Sequence, residues 1–211
     1  MREPSVDYSL YVCSDTELIG PRSMESCIEE AILGGATLIQ LREKDISTRE
    51  FYQKALHLHA LTLHYHLPLI INDRVDIALA IGAEGVHLGQ EDMDLITARR
   101  LLGTHAIIGI STLGSIELSQ QAERDGADYI GVGAIFSTAT KTNSLPIGLN
   151  SLAQICRSVS LPVVAIGGIN LENSTEVWQT GVAGICVVSA ILAQENIRAA
   201  AAAFRQQEVK K

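Results

Sequence analysis

Short runs rich in Val and Ile recur along the chain, each followed by a longer stretch with apolar residues every three or four positions. The first pattern predicts buried parallel strands and the second predicts helices with one apolar face. Strands are expected near Tyr8–Ser14, Thr37–Arg42, Leu69–Ile71, Val86–Leu88, Ile107–Ile110, Tyr129–Val132, Val163–Ile166 and Ile185–Val188. Helices are expected at Ser23–Leu33, from Ser47 or Thr48 to about His66, and at Val75–Ile81, Leu95–Leu102, Ser115–Asp125, Leu149–Ser158, Ser174–Thr180 and Ala190–Gln206. The second of these carries Phe51, Ala55, Leu58 and Thr62 on one stripe, and Ser47 or Thr48 is placed to cap it.

Several helical segments end in glycine shortly before the next strand: Gly34-Gly35-Ala36, Gly82-Ala83, Gly126-Ala127 and Gly181-Val182-Ala183. Glycine there suits a left-handed helix C-cap, and its recurrence suggests one βα unit used repeatedly. Eight such units in 211 residues predict an α/β fold, a single (β/α)8 TIM barrel spanning residues 1–211. An open doubly wound sheet is the alternative, but Ser14–Arg22 lacks the G-x-G-x-x-G expected after its first strand.

Composition narrows the function. The net charge is −8, which disfavours nucleic acid as a partner. No apolar run is long enough for a membrane span, and Met1–Asp7 does not resemble a signal peptide. A cytoplasmic protein without a membrane partner is expected, and a homo-oligomer is compatible with the sequence. Cys13, Cys27, Cys156 and Cys186 show no C-x-x-C spacing and read as buried reduced thiols.

In such barrels the chemistry lies at the C-terminal strand ends. Gln40-Leu41-Arg42-Glu43-Lys44 follows the second strand, and period two places Gln40, Arg42 and Lys44 on one face. One amide and two cations there suit a phosphate or diphosphate; ordinary charges on a solvated strand end are the plainer alternative. Asp73 follows the third strand and Asp92 the fourth. Neighbouring carboxylates could hold magnesium together with substrate phosphate, or each could simply cap the helix after it. Ser111 could donate to a phosphate or cap a helix.

The segment Phe136–Gly148 is long for a βα connection and carries Ser137, Thr138, Thr140 and Lys141. It reads as an anion-binding lid or as a Ser/Thr-rich loop without a ligand. Gly167-Gly168 and Val188-Ser189 stand where barrels commonly bind phosphate through backbone N–H groups. His57, His59, His64 and His66 lack chelating spacing and read as surface or interface residues. His87 could face either way and reads as a satisfied barrel histidine.

Taken in order, Q-x-R-E-K at 40–44, Asn72-Asp73, GVHLGQED at 85–92, TATK at 138–141, Gly167-Gly168 and Val188-Ser189 resemble the thiamine-phosphate synthase family across nearly the whole chain. The chain departs from that family's usual pattern at Gly133-Ala134 and Ser137, where proline is common; both departures fall beside the lid. The resemblance implies a transferase of thiamine biosynthesis that joins a phosphorylated pyrimidine to a phosphorylated thiazole with Mg2+ as cofactor. It implies that Gln40, Arg42, Lys44, Asn72 and Lys141 hold the pyrimidine's diphosphate. Asp73 and Asp92 would bind magnesium, and Ser111 would contact the pyrimidine. Thr138, Thr140, Gly168, Val188 and Ser189 would hold the thiazole phosphate. Arg42, Lys44, Ser111 and Lys141 would be the catalytic set. The implied reaction ionises a carbon–oxygen bond and needs no general base, which suits a chain without an obvious catalytic His or Cys.

Three rivals remain at this point. A thiazole tautomerase-like relative would lack the Asp73 and Asp92 pair. A sugar-phosphate epimerase or isomerase would need a paired acid and base at the strand tips. A binding module would show no turnover.

Overall fold

The computed structural model describes residues 6–137 and 146–208. Eight strands are present: β1 (Leu10–Cys13), β2 (Leu38–Leu41), β3 (Leu69–Asn72), β4 (Gly85–Leu88), β5 (Ile107–Ser111), β6 (Tyr129–Val132), β7 (Val163–Ile166) and β8 (Gly184–Val187). Around them lie α1 (Thr16–Ile19), α2 (Met24–Leu33), α3 (Thr48–His64), α4 (Val75–Ile81), α5 (Leu95–Leu102), α6 (Ile116–Asp125), α7 (Leu149–Ser158), α8 (Ser174–Trp178), α9 (Ser189–Leu192) and α10 (Ile197–Glu208). The strands pair in parallel and in chain order, and β8 returns to β1, so the sheet closes into the expected (β/α)8 barrel.

Closure leaves every strand with two buried faces. Val12, Ile39, Leu41, Ile71, Val86, Leu88, Ile108, Ile130, Val132 and Val187 face the helices and form the larger apolar layer. Tyr11, Cys13, Leu38, Ile70, Tyr129, Val164 and Cys186 form a second layer inside the barrel. Full burial of one Leu or Ile is worth roughly 1.5–3 kcal/mol, so the outer layer dominates stability. Polar side chains enter the interior toward the C-terminal strand ends: Gln40 and Asn72 are buried there, and His87 and Ser111 are half-buried.

The helix starts follow the sequence. Ser47 and Glu50 form a reciprocal capping box on α3, and Ser23, Asp94 and Ser115 cap α2, α5 and α6. Gly82 and Gly126 are left-handed C-caps as expected. After α2 the positive φ (+106°) falls on Gly35; at Gly34 the backbone is right-handed, and a Cβ there would meet the Arg198 carbonyl oxygen at 2.5 Å. Close packing of α10 on α2, rather than a special dihedral, requires glycine at that position.

Two other expectations need correction, and one element escaped the sequence pattern. The segment Ala190–Gln206 is two helices, because Asn196 accepts from the Ala199 amide and starts α10 anew. Helix α1 was not legible as an apolar stripe, being four residues held by the Asp15 carboxylate on the Glu17 and Leu18 amides. His59 is buried rather than superficial, with Nε2 3.2 Å from Glu84, whose other oxygen accepts from the Leu69 amide. The cysteines form no disulfide; Cys13, Cys27 and Cys186 are buried and Cys156 is half-buried. No helix among the described residues is long and apolar enough to cross a membrane.

Candidate active site

A cavity of about 150 Å³ opens at the C-terminal ends of the strands. Its walls include Gln40, Arg42, Asn72, Ser111, Gly168, Val188 and Ser189. Seven residues singled out in the sequence therefore meet around one space.

The second-strand run supplies one wall. Gln40 and Arg42 line the cavity while Leu41 is fully buried in the outer layer. Period two persists one residue past the end of β2 because Ser14 holds the backbone there: its hydroxyl accepts from the Arg42 amide at 2.9 Å, and its own amide donates to the Gln40 carbonyl at 2.8 Å. Glu43 turns away, pinned by Lys54 at 2.6 Å and by the Thr16 hydroxyl. Lys44 does not line the cavity. It sits at the rim, half exposed, and pairs with Asp73.

Asp73 and Asp92 come together at that rim. Neither caps the helix after it: Arg74 is the N-cap of α4 and Asp94 that of α5. Asp73 instead adopts a left-handed backbone (φ 61°), and its amide donates to the His87 carbonyl at 2.9 Å. Asp92 accepts from the Gly89 amide at 2.7 Å. Burial pushes the Asp92 carboxyl above the usual carboxylate range and the adjacent Asp73 adds to this, while the Gly89 amide and the Lys44 ammonium act in the opposite direction. Two acidic groups this close repel when both are ionised, and a hard cation would relieve that repulsion.

The opposite wall is built from backbone. Gly167 and Gly168 have φ of +102° and +68°, which other residues rarely adopt. A Cβ on Gly167 would meet the Ala134 Cβ at 2.5 Å, and one on Gly168 the Ser137 carbonyl oxygen at 2.7 Å. The short helix α9 starts at Ser189 with Val188 as its N-cap, and no side chain caps it. Such loops aim N–H groups outward and suit a phosphate. Thr138, Thr140 and Lys141, with most of the lid segment, lie outside the described residues.

The floor was not foreseen. Tyr11, Tyr129, Cys13 and Cys186 line it. His87 is satisfied, as the sequence reading had it, yet it also faces the cavity: Nδ1 lies 2.9 Å from the Tyr129 hydroxyl and Nε2 2.9 Å from Ser111 Oγ. Ser111 is thus held by His87 and does not cap a helix. The available signal was period two in β4, where Val86 and Leu88 point outward and so turn His87 inward.

Comparisons with known proteins identify the family. Residues 10–191 match the family model described as thiamine monophosphate synthase. The chain is 54% identical to the thiamine-phosphate synthase of Clostridium acetobutylicum over 194 residues, covering 92% of each chain. It is 50% identical to that of Ruminiclostridium cellulolyticum over 196 residues, covering 93% of each. The solved thiamine phosphate pyrophosphorylase of Pyrococcus furiosus superposes with a TM-score of 0.89 at 42% identity, covering 98% of both chains. A 3-hexulose-6-phosphate synthase superposes at 0.69 with 16% identity and shares the fold alone. With its Q-x-R-E-K wall, its Asp73 and Asp92 rim and its paired glycines gathered at one barrel mouth, the chain belongs to the thiamine monophosphate synthase family, whose members are transferases of thiamine biosynthesis.

Proposed function

We propose that the protein joins 4-amino-5-hydroxymethyl-2-methylpyrimidine diphosphate to 4-methyl-5-hydroxyethylthiazole phosphate, giving thiamine phosphate and pyrophosphate. The observation that carries this reading is the division of one cavity into two anion-binding walls, with the carboxylate pair beside only one of them. A diphosphate needs strong charge compensation, and a monophosphate can be held by backbone N–H groups. The wall of Gln40, Arg42 and Asn72, with Lys44 at the rim, suits the diphosphate. The wall of Gly168, Val188 and Ser189 suits the thiazole phosphate. From sequence pattern alone, Lys141 joins the first set and Thr138 and Thr140 the second.

The donor set at the rim fits magnesium. Asp73 and Asp92 offer hard oxygen ligands, and among the described residues no cluster of three or more ligating side chains forms, so substrate oxygens and water would complete the shell. Bound there, the ion would neutralise charge on the departing pyrophosphate. The residues of the chain do the rest. Arg42 and Lys44 stabilise the same charge as the methylene–oxygen bond breaks and its electron pair leaves with pyrophosphate. Ser111 holds the pyrimidine. The opposite wall positions the thiazole so that its nitrogen lone pair forms the new carbon–nitrogen bond. No proton need be removed from that nitrogen, which agrees with the absence of a general base from the assigned set.

The test is turnover. Purified protein with magnesium and both substrates should form thiamine phosphate and pyrophosphate in equal amounts. Binding of both substrates without product would contradict the reading and leave a non-catalytic module.

A further inference from the structure

A chain of hydrogen bonds crosses the barrel interior from β2 to β5. Gln40 Nε2 lies 2.5 Å from the Tyr11 hydroxyl, which lies 2.9 Å from the Tyr129 hydroxyl. Tyr129 reaches His87 Nδ1 at 2.9 Å, and His87 Nε2 reaches Ser111 Oγ at 2.9 Å. The sequence makes room for it. His87, Gly109 and Tyr129 are in register on adjacent strands, and a Cβ on Gly109 would lie 2.0 Å from Tyr129 Cζ. Gly131 pairs with Ser111, and its Cβ would lie 2.9 Å from His87 Cε1. Barrel interiors are usually filled by bulky branched side chains. Here two glycines leave the space in which an imidazole, a phenol and a hydroxyl meet.

Counting protons gives the chain a direction. The Gln40 amide oxygen faces the Cys13 thiol at 3.4 Å, so the NH2 group faces Tyr11 and can only donate. Burial raises both phenols well above their usual range, so each carries one proton. Tyr11 accepts from Gln40 and passes its own proton to Tyr129. Tyr129 then donates to His87 Nδ1, which must be bare. The ring proton therefore sits on Nε2 and points at Ser111 Oγ. With its oxygen accepting from His87, Ser111 keeps its own proton for the cavity. The reverse direction would set the Tyr11 hydroxyl hydrogen against the Gln40 NH2 group, which offers no acceptor.

We propose that Tyr129 and His87 are positioning residues that fix Ser111 as a hydrogen-bond donor toward an acceptor atom of the pyrimidine diphosphate. The proposal rests on the function assigned above. Without the Tyr129 hydroxyl, His87 can move its proton to Nδ1. Nε2 then becomes an acceptor and captures the Ser111 proton.

Two measurements test this. In free protein labelled with 15N-histidine, the His87 signals, assigned by their loss in His87→Gln, should show an unprotonated Nδ1 and a protonated Nε2. A protonated Nδ1 would overturn the proposal. This readout needs no substrate, so it is independent of whether the proposed reaction occurs. Tyr129→Phe should then lower kcat about tenfold, the loss of roughly one hydrogen bond, with the KM for the thiazole phosphate unchanged. In a Ser111→Ala background the same substitution should cost less than about twofold, because the donor it aims is already gone. An equal loss in both backgrounds would show that Tyr129 acts on packing and not through Ser111.

Discussion

In the proposed reading, the two walls of the cavity bind anions by different means. The wall at β2–β4 uses side chains: Arg42, Gln40 and Asn72 inside, with Lys44, Asp73 and Asp92 at the rim. The wall at β7–β8 uses backbone, and its glycines are fixed by dihedral angle and close packing rather than by charge. The difference teaches how a chain with a net charge of −8 can still favour phosphates. In that reading one wall sets Arg42 and Lys44 against the diphosphate, with magnesium offsetting Asp73 and Asp92, and the other uses N–H dipoles that leave net charge unaltered.

The largest expected effect lies at the rim. Asp73→Ala or Asp92→Ala should cut turnover by about a hundredfold to a thousandfold while circular dichroism remains unchanged, since losing a group that stabilises developing charge costs about that much. EDTA should abolish activity and added magnesium should restore it. Full activity in EDTA would remove the metal from the account and with it the distinction between the walls. Next is Leu41→Ala, beside Arg42 but on the other face of β2. Denaturant unfolding should show a loss of about 3 kcal/mol, typical of a buried Leu→Ala change, with ligand affinities unaltered. The opposite result would mean that the face assignment is reversed.

Gly168→Ala sharpens the comparison from the other side. The new methyl would press on the Ser137 carbonyl in an unfavourable backbone conformation. The KM for the thiazole phosphate should rise about tenfold, with little change for the pyrimidine diphosphate. The smallest effect is on stability. The folded state raises the Asp92 pKa above its unfolded value, so the fold is favoured when Asp92 is protonated. That contribution is fully present below the unfolded pKa and is lost as pH rises through the folded value. At neutral pH in EDTA, Asp92→Asn should therefore raise the Tm slightly even as it lowers activity. A lower Tm would mean that the Gly89 contact outweighs the repulsion from Asp73.

The two walls were not equally legible in the sequence. Period two places Arg42 and Leu41 on opposite faces from sequence alone, because alternation in a buried strand is a local property. Gly167 and Gly168 were legible because paired glycines after the seventh strand stand where barrels commonly bind phosphate. Lys44, expected on the same face as Gln40 and Arg42, stands at the rim instead: alternation persists only as far as Arg42, and the Asp73 partner of Lys44 lies on another βα unit. The two aspartates offered metal binding with capping as the alternative, and the neighbouring caps Arg74 and Asp94 remove the alternative. The floor was least legible. Tyr11, Tyr129 and His87 come from three strands, and their chain depends on the empty space at Gly109 and Gly131. A glycine in a strand announces a close approach without naming what approaches.

The division of labour between the walls is tested most directly by calorimetric titration of Arg42→Ala with two separate ligands, inorganic pyrophosphate with magnesium and the thiazole phosphate. Loss of a charge-assisted contact should weaken pyrophosphate by about tenfold or more and leave the thiazole phosphate within about twofold of the unaltered protein. Equal weakening of both ligands, or weakening of the thiazole phosphate alone, would contradict the account.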